Sequence, residues 1–91
     1  MAKPALPEIR KTTRAVIAKD KGYEPDEVGD EDKLRDDLNY DNTGLGALAT
    51  RINNAFFQKG KPGLSPSDVQ ACEKVKDIAD KVDQQPAANF K

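Results

Sequence analysis

Apolar residues recur at helical spacing in three stretches of this chain. Leu6, Ile9, Thr13, Val16 and Ile17 fall on one helix face. Pro7 suits the first turn, where its missing N–H would have no partner anyway, and Gly22 suits the terminus because glycine turns left-handed without steric penalty. A stronger period runs from about Thr43 to Gln58, with Leu45, Leu48, Ala49, Ile52, Ala55 and Phe56 on one face. Asp41 or Asn42 can cap that helix by accepting a backbone N–H. Gly44 and Gly46 each cost about 1 kcal/mol relative to alanine inside a helix, so they imply a close helix contact or a mobile first turn. A short third helix is predicted after Ser65, with Ser65 as cap and Pro66 in the first turn. Val69 and Cys72 then lead into Val75, Ile78, Ala79 and Val82, one face of a last helix ending near Asp83.

From Tyr23 to Asn39 the pattern breaks into charge, with Val28, Leu34 and Leu38 as isolated apolar anchors of a long loop. Lys59-Gly60-Lys61-Pro62-Gly63 breaks the chain again, and Leu64 anchors the segment that leads to Ser65. Residues 84–91, Gln84 to Lys91, offer little periodicity and are expected to form a disordered tail after one domain spanning 1–83. The predicted core is Ile9, Val16, Ile17, Leu34, Leu38, Leu48, Ile52, Phe56, Leu64, Val75, Ile78 and Val82. The fold class is all-α: three main helices and one short one, with a long loop between the first and second.

Composition narrows the chemistry. The 91 residues are 36% hydrophobic and 34% charged, and no apolar run approaches the roughly 20 residues of a membrane span. Met1 to Glu8 lacks the apolar segment of a secretory signal, so a cytoplasmic location is expected; a monomer without membrane association is expected as well. Cys72 is the only cysteine and there is no histidine, which excludes an internal disulfide and a cysteine–histidine pair. Within its apolar register Cys72 reads as a small hydrophobe. Asp37, Asn39 and Asp41 alternate as in a calcium loop, yet Asn42 stands where such a loop needs glycine and Leu48 where it needs glutamate.

Net charge is −1, unevenly distributed. Residues 1–22 carry six bases and two acids (+4), residues 23–41 two bases and nine acids (−7), residues 42–62 three bases and no acid (+3), and residues 63–91 four bases and five acids (−1). Either the acidic loop around Asp30, Glu31, Asp32, Asp36 and Asp37 or the basic segment with Arg51, Lys59 and Lys61 can meet a partner of opposite sign. An acidic overall balance without a basic stripe and interleaved aromatics argues against nucleic acid.

The stretch Asp37-Leu38-Asn39-Tyr40-Asp41-Asn42-Thr43 resembles the attachment motif of acyl carrier proteins, Asp-Leu-Gly-x-Asp-Ser-Leu. Asp37, Leu38 and Asp41 match; Asn42 replaces the serine and Thr43 the following leucine. The resemblance extends over residues 5–82. It includes the Leu34 and Leu38 anchors, Phe56 fourteen residues after Asn42, and the register of Leu64, Val69, Cys72, Val75, Ala79 and Val82. It implies an acyl-carrier-protein-like four-helix bundle of the kind used in fatty acid or polyketide biosynthesis, recognised through its second helix.

The departures change the implied function. In the family the serine hydroxyl carries a 4′-phosphopantetheine arm, whereas a carboxamide nitrogen has its lone pair delocalised into the carbonyl and offers no alkoxide. The family's acidic second helix is here replaced by a basic segment, which disfavours the usual partner enzymes. The expectation is therefore a non-catalytic partner-binding module without cofactor, with Asn42 at the unmodified attachment position and Asp41, Arg51, Lys59 and Lys61 facing a protein partner. Two alternatives stand beside it: a divergent acyl or aminoacyl carrier loaded at Thr43, about 100° around the helix, and an unrelated structural or regulatory helical bundle.

Overall fold

In the computed structural model, which describes residues 3–91, the chain forms four α-helices among the described residues: α1 (Leu6–Lys21), α2 (Asn42–Phe56), α3 (Pro66–Gln70) and α4 (Val75–Asp83). Among the described residues two 3-10 turns, Pro25–Glu27 and Ala87–Asn89, complete the regular structure, and strand-type pairing is limited to two isolated bridges, Lys33 with Lys74 and Phe57 with Phe90. Helix α1 packs against α2 and α4, and α2 against α3.

The α1 boundaries follow from local chemistry. Pro7 lies in the first turn, and Gly22 closes the helix at φ 77°, donating its N–H to the Ala18 carbonyl. Ile9, Ile17 and Ala18 are buried with Thr13, whose hydroxyl reaches core depth only because it donates to the Ile9 carbonyl at 2.7 Å. Val16, expected in the core, is half-buried at its edge, against the core rather than within it. The helical stripe is wider than the contact surface, and Val16 lies at its margin.

The long loop is pinned by its three anchors, Val28, Leu34 and Leu38, all buried, and also by Tyr40. Its backbone finishes α4. The Asp32 carbonyl accepts from Val75 N–H and the Asp30 carbonyl from Lys76 N–H, both at 3.0 Å, while the Asp77 carboxylate accepts from Lys74 N–H at 2.9 Å. Donors that a helix start leaves without intrahelical partners are thereby satisfied by the loop. The Ser65 hydroxyl accepts from Asp68 N–H, and the Asp68 carboxylate accepts from Ser65 N–H, the reciprocal pair that starts α3.

Two expectations are corrected at the C-terminal end. Helix α2 stops at Phe56 rather than Gln58, since Phe57 turns to extended backbone at φ −112° and ψ 152°. Residues 84–91 are not a disordered tail outside a domain ending at 83. Gln58 N–H donates to the Asn89 carbonyl at 2.8 Å, Lys91 N–H donates to the Phe56 carbonyl at 3.0 Å, and Phe90 is 1% exposed. Its ring meets Phe57 edge-on at 4.9 Å between centroids and Phe56 at 6.4 Å. One buried aromatic side chain outweighs the polar residues before it, because burying a ring of that size removes a large apolar area from water.

Candidate functional site

The start of α2 is built from the turn before it. Asn39 adopts φ 58°, a left-handed conformation that asparagine tolerates better than most residues. That turn carries Tyr40 inward, where its hydroxyl donates to Asp20 Oδ2 at 2.7 Å. Burial, reinforced by the Asp20 carboxylate, raises the Tyr40 phenol well above its ordinary value, so it remains a donor. Lys21 Nζ lies 4.1 Å from the centre of the Tyr40 ring.

Asp41 is the cap of α2: its Oδ1 accepts from Gly44 N–H at 2.7 Å. Asn42, the first residue of the helix, is therefore free of capping and serves elsewhere. Its Oδ1 accepts from Arg35 Nη2 at 2.6 Å, and its backbone carbonyl accepts from Gln70 Nε2 at 2.9 Å. Arg35 also donates to the Gln70 carbonyl at 3.1 Å. Loop, α2 and α3 are thus stapled together at the Asn42 position. The two glycines of α2 belong to this close approach rather than to a mobile turn: a Cβ at Gly46 would lie 3.3 Å from Gln70 Nε2, and one at Gly44 3.2 Å from the Tyr40 ring. Thr43 is exposed on the next helical position.

The basic residues do not form one cluster. Arg51 Nε pairs with Asp20 Oδ1 at 2.7 Å and borders a cleft between α1 and α2. Lys59 and Lys61 border a different cleft with Lys91, a residue expected in an unstructured tail. Nothing in the local pattern around Phe90 signals this, because the lysines meet only through the folded terminus.

The acidic loop spends much of its charge on the fold. Asp30 pairs with Arg14 at 2.7 Å, and Glu31 with Lys76 at 2.8 Å and Lys74 at 3.0 Å. The Asp32 and Asp37 carboxylates accept from the Gly29 and Lys33 N–H groups, both at 2.8 Å. Hydrogen bonds from Lys76 and then Lys74 hold the Glu31 carboxyl at about 2, below its ordinary 4.5. A carboxyl depressed by folding stabilises the protein above its unfolded value, and that contribution fades as pH falls from about 4.5 to about 2. Wild type should therefore melt slightly above E31Q near neutral pH, and the two thermal midpoints should converge as pH approaches about 2. The gap should be small and shrink with salt, because the pair is exposed. A gap that persists unchanged at the acid end would show that the clamp is not ionic.

Cys72 is buried, donates to the Asp68 carbonyl at 3.3 Å, and has its thiol pushed up to about 11 by burial. At neutral pH it is a thiol and a weak nucleophile. Among the described residues no group of three or more metal-ligating side chains is placed to hold an ion, and no helix is long and apolar enough to cross a membrane. In comparisons with known proteins, no family model and no curated protein matches the chain.

Proposed function

We propose that this chain is an acyl-carrier-protein-like module that binds a protein partner and carries no phosphopantetheine arm, acting through its surface rather than as an enzyme. The observation that carries this reading is the state of Asn42. It opens a helix capped by Asp41, at the position where the resembling motif has its serine, and its carboxamide is held by Arg35 at 2.6 Å. The left-handed backbone of Asn39 supports it, since the motif has glycine there and glycine is the residue that adopts such a turn most readily. A side-chain amide offers no hydroxyl to attack the pyrophosphate of coenzyme A.

Offered coenzyme A and a promiscuous carrier-protein transferase, the chain should keep its unmodified intact mass. A gain of one phosphopantetheine arm overturns the reading, and peptide mapping of the gain to Thr43 would establish the divergent-carrier alternative, which the exposure of Thr43 favours. Asn42→Ser separates the two obstacles. If the missing hydroxyl is the only one, the variant loads; if the basic character of residues 42–62 also matters, loading stays poor until acids are introduced on α2.

A further inference from the structure

The side of the molecule shared by α1 and α2 combines apolar floor, concave shape and unbalanced positive charge. The cleft between these helices, about 450 Å³, has Val16 and Ala55 among its walls, two half-buried apolar residues set against the core. Lys19 stands on its α1 rim and Arg51 on its α2 rim. Its one acid, Asp20, is already engaged through both oxygens: Oδ1 faces Arg51 and Oδ2 accepts from Tyr40, with only 16% of its side chain exposed. Arg51 remains 60% exposed. The local balance is therefore positive although an acid is present.

Asn54 borders this cleft and also the next one, about 470 Å³, where Lys59, Lys61 and Lys91 are gathered. The residues bordering the second cleft include asparagines and a glutamine but no acidic side chain, and among the described residues none of its lysine side chains is in an ion pair. The apolar floor of Val16 and Ala55 thus adjoins, through Asn54, a cationic end.

We infer that the α1–α2 cleft and the adjoining Lys59–Lys61–Lys91 end form one docking surface for an acidic amphipathic segment of a partner protein, whose apolar side chains rest on Val16 and Ala55 while its carboxylates face the lysines. This rests on the partner-binding reading above and names the surface and the chemistry of the partner. Lysine ammoniums on flexible stems suit carboxylates at several positions, unlike a convergent guanidinium fork built for one bidentate group. The acids of residues 23–41 that remain outside the ion pairs of Asp30 and Glu31 oppose a long polyanion, whereas a short acidic segment need not extend over them. Arg51, expected as an equal member of the basic site, instead holds Asp20 neutralised at the rim, and Lys91 takes its place among the unpaired charges.

The test uses the full chain, isotope-labelled, and a synthetic acidic amphipathic peptide of about 18 residues with leucine and glutamate at helical spacing. Amide shifts should change at Val16, Ala55, Lys59, Lys61 and Lys91. The K59E/K61E/K91E variant should associate roughly tenfold or more slowly with dissociation little changed, because peripheral charges act through steering. Wild-type association should slow as salt rises above about 0.15 M. Ala55→Glu should weaken binding through dissociation. If the triple reversal unfolds by circular dichroism, K59Q/K61Q/K91Q replaces it with the same expectation at smaller size.

Shifts confined to other faces, no binding, or equal binding of a peptide with its leucines and glutamates scrambled would overturn the proposal. Tighter binding of a single-stranded oligonucleotide or of anionic vesicles, or self-association of the chain in place of peptide binding, would also overturn it. Intact mass of the same sample after transferase treatment reports separately on the unloaded-carrier reading. An arm would sink that reading without moving the shift map, and a null shift map would sink this one without changing the mass.

Discussion

Truncating Phe90 to alanine should destabilise the protein by about 3–5 kcal/mol, the cost of deleting a buried phenylalanine from a packed core. The ring is 1% exposed and lies edge-on to both Phe56 and Phe57, and the strap that carries it is held by hydrogen bonds to Phe56 and Gln58. For a domain whose stability is expected to lie within about 5–15 kcal/mol, that loss is a large share. Urea unfolding of wild type and variant measures it directly. A change under about 1 kcal/mol would mean that the Phe90 ring is not seated in the core. Phe56→Ala should fall in the same range, and the double variant should cost less than the sum, because the two rings share contacts and an aromatic pair adds about 0.5–1.5 kcal/mol beyond burial.

Gly63→Ala should cost about 2–4 kcal/mol, although its backbone is not left-handed. The reason is proximity. The Asn53 carboxamide pairs with the Leu64 backbone, accepting from its N–H at 2.8 Å and donating to its carbonyl at 2.9 Å. A Cβ on residue 63 would lie 2.6 Å from Asn53 Cγ and 2.9 Å from Phe57 Cδ2. The substitution must displace Asn53, breaking both bonds at the return from α2, or push the Phe57 ring out of its aromatic cluster. Gly60 is the control three residues earlier. Its φ is 86° with nothing within 4 Å of a new Cβ, so Gly60→Ala should cost only the left-handed strain of about 1–2 kcal/mol. Thermal midpoints of the two variants should order Gly63→Ala below Gly60→Ala, and the reverse order would refute the close approach.

Asn42 and Arg51 show how the roles of the site residues depend on the fold. Local rules left Asp41 and Asn42 equally able to cap α2, since both side chains accept a hydrogen bond. The position of Arg35 and Gln70, seven and twenty-eight residues away, settles the division: Asp41 caps and Asn42 bridges. Likewise the +3 charge of residues 42–62 is a property of sequence, but the pairing of Arg51 with Asp20 is a property of how α1 lies against α2.

Features that depend on near neighbours are legible in the order of residues alone. The periods of α1, α2 and α4, the glycine end of α1 and the Ser65 start of α3 all arise from spacing and from residues within one or two turns. Features that join residues far apart in the chain emerge only on folding. Phe90 has no periodic company, and its burial exists because Phe56 and Phe57 leave a surface that one more ring covers. Lys91 joins Lys59 and Lys61 only once that ring is seated. The acidic loop is quieter than its charge suggests because Arg14, Lys74 and Lys76 come to it from other elements. Periodicity reports which face of an element is apolar, whereas which charges and rings finally meet is set by the packing of those faces against one another.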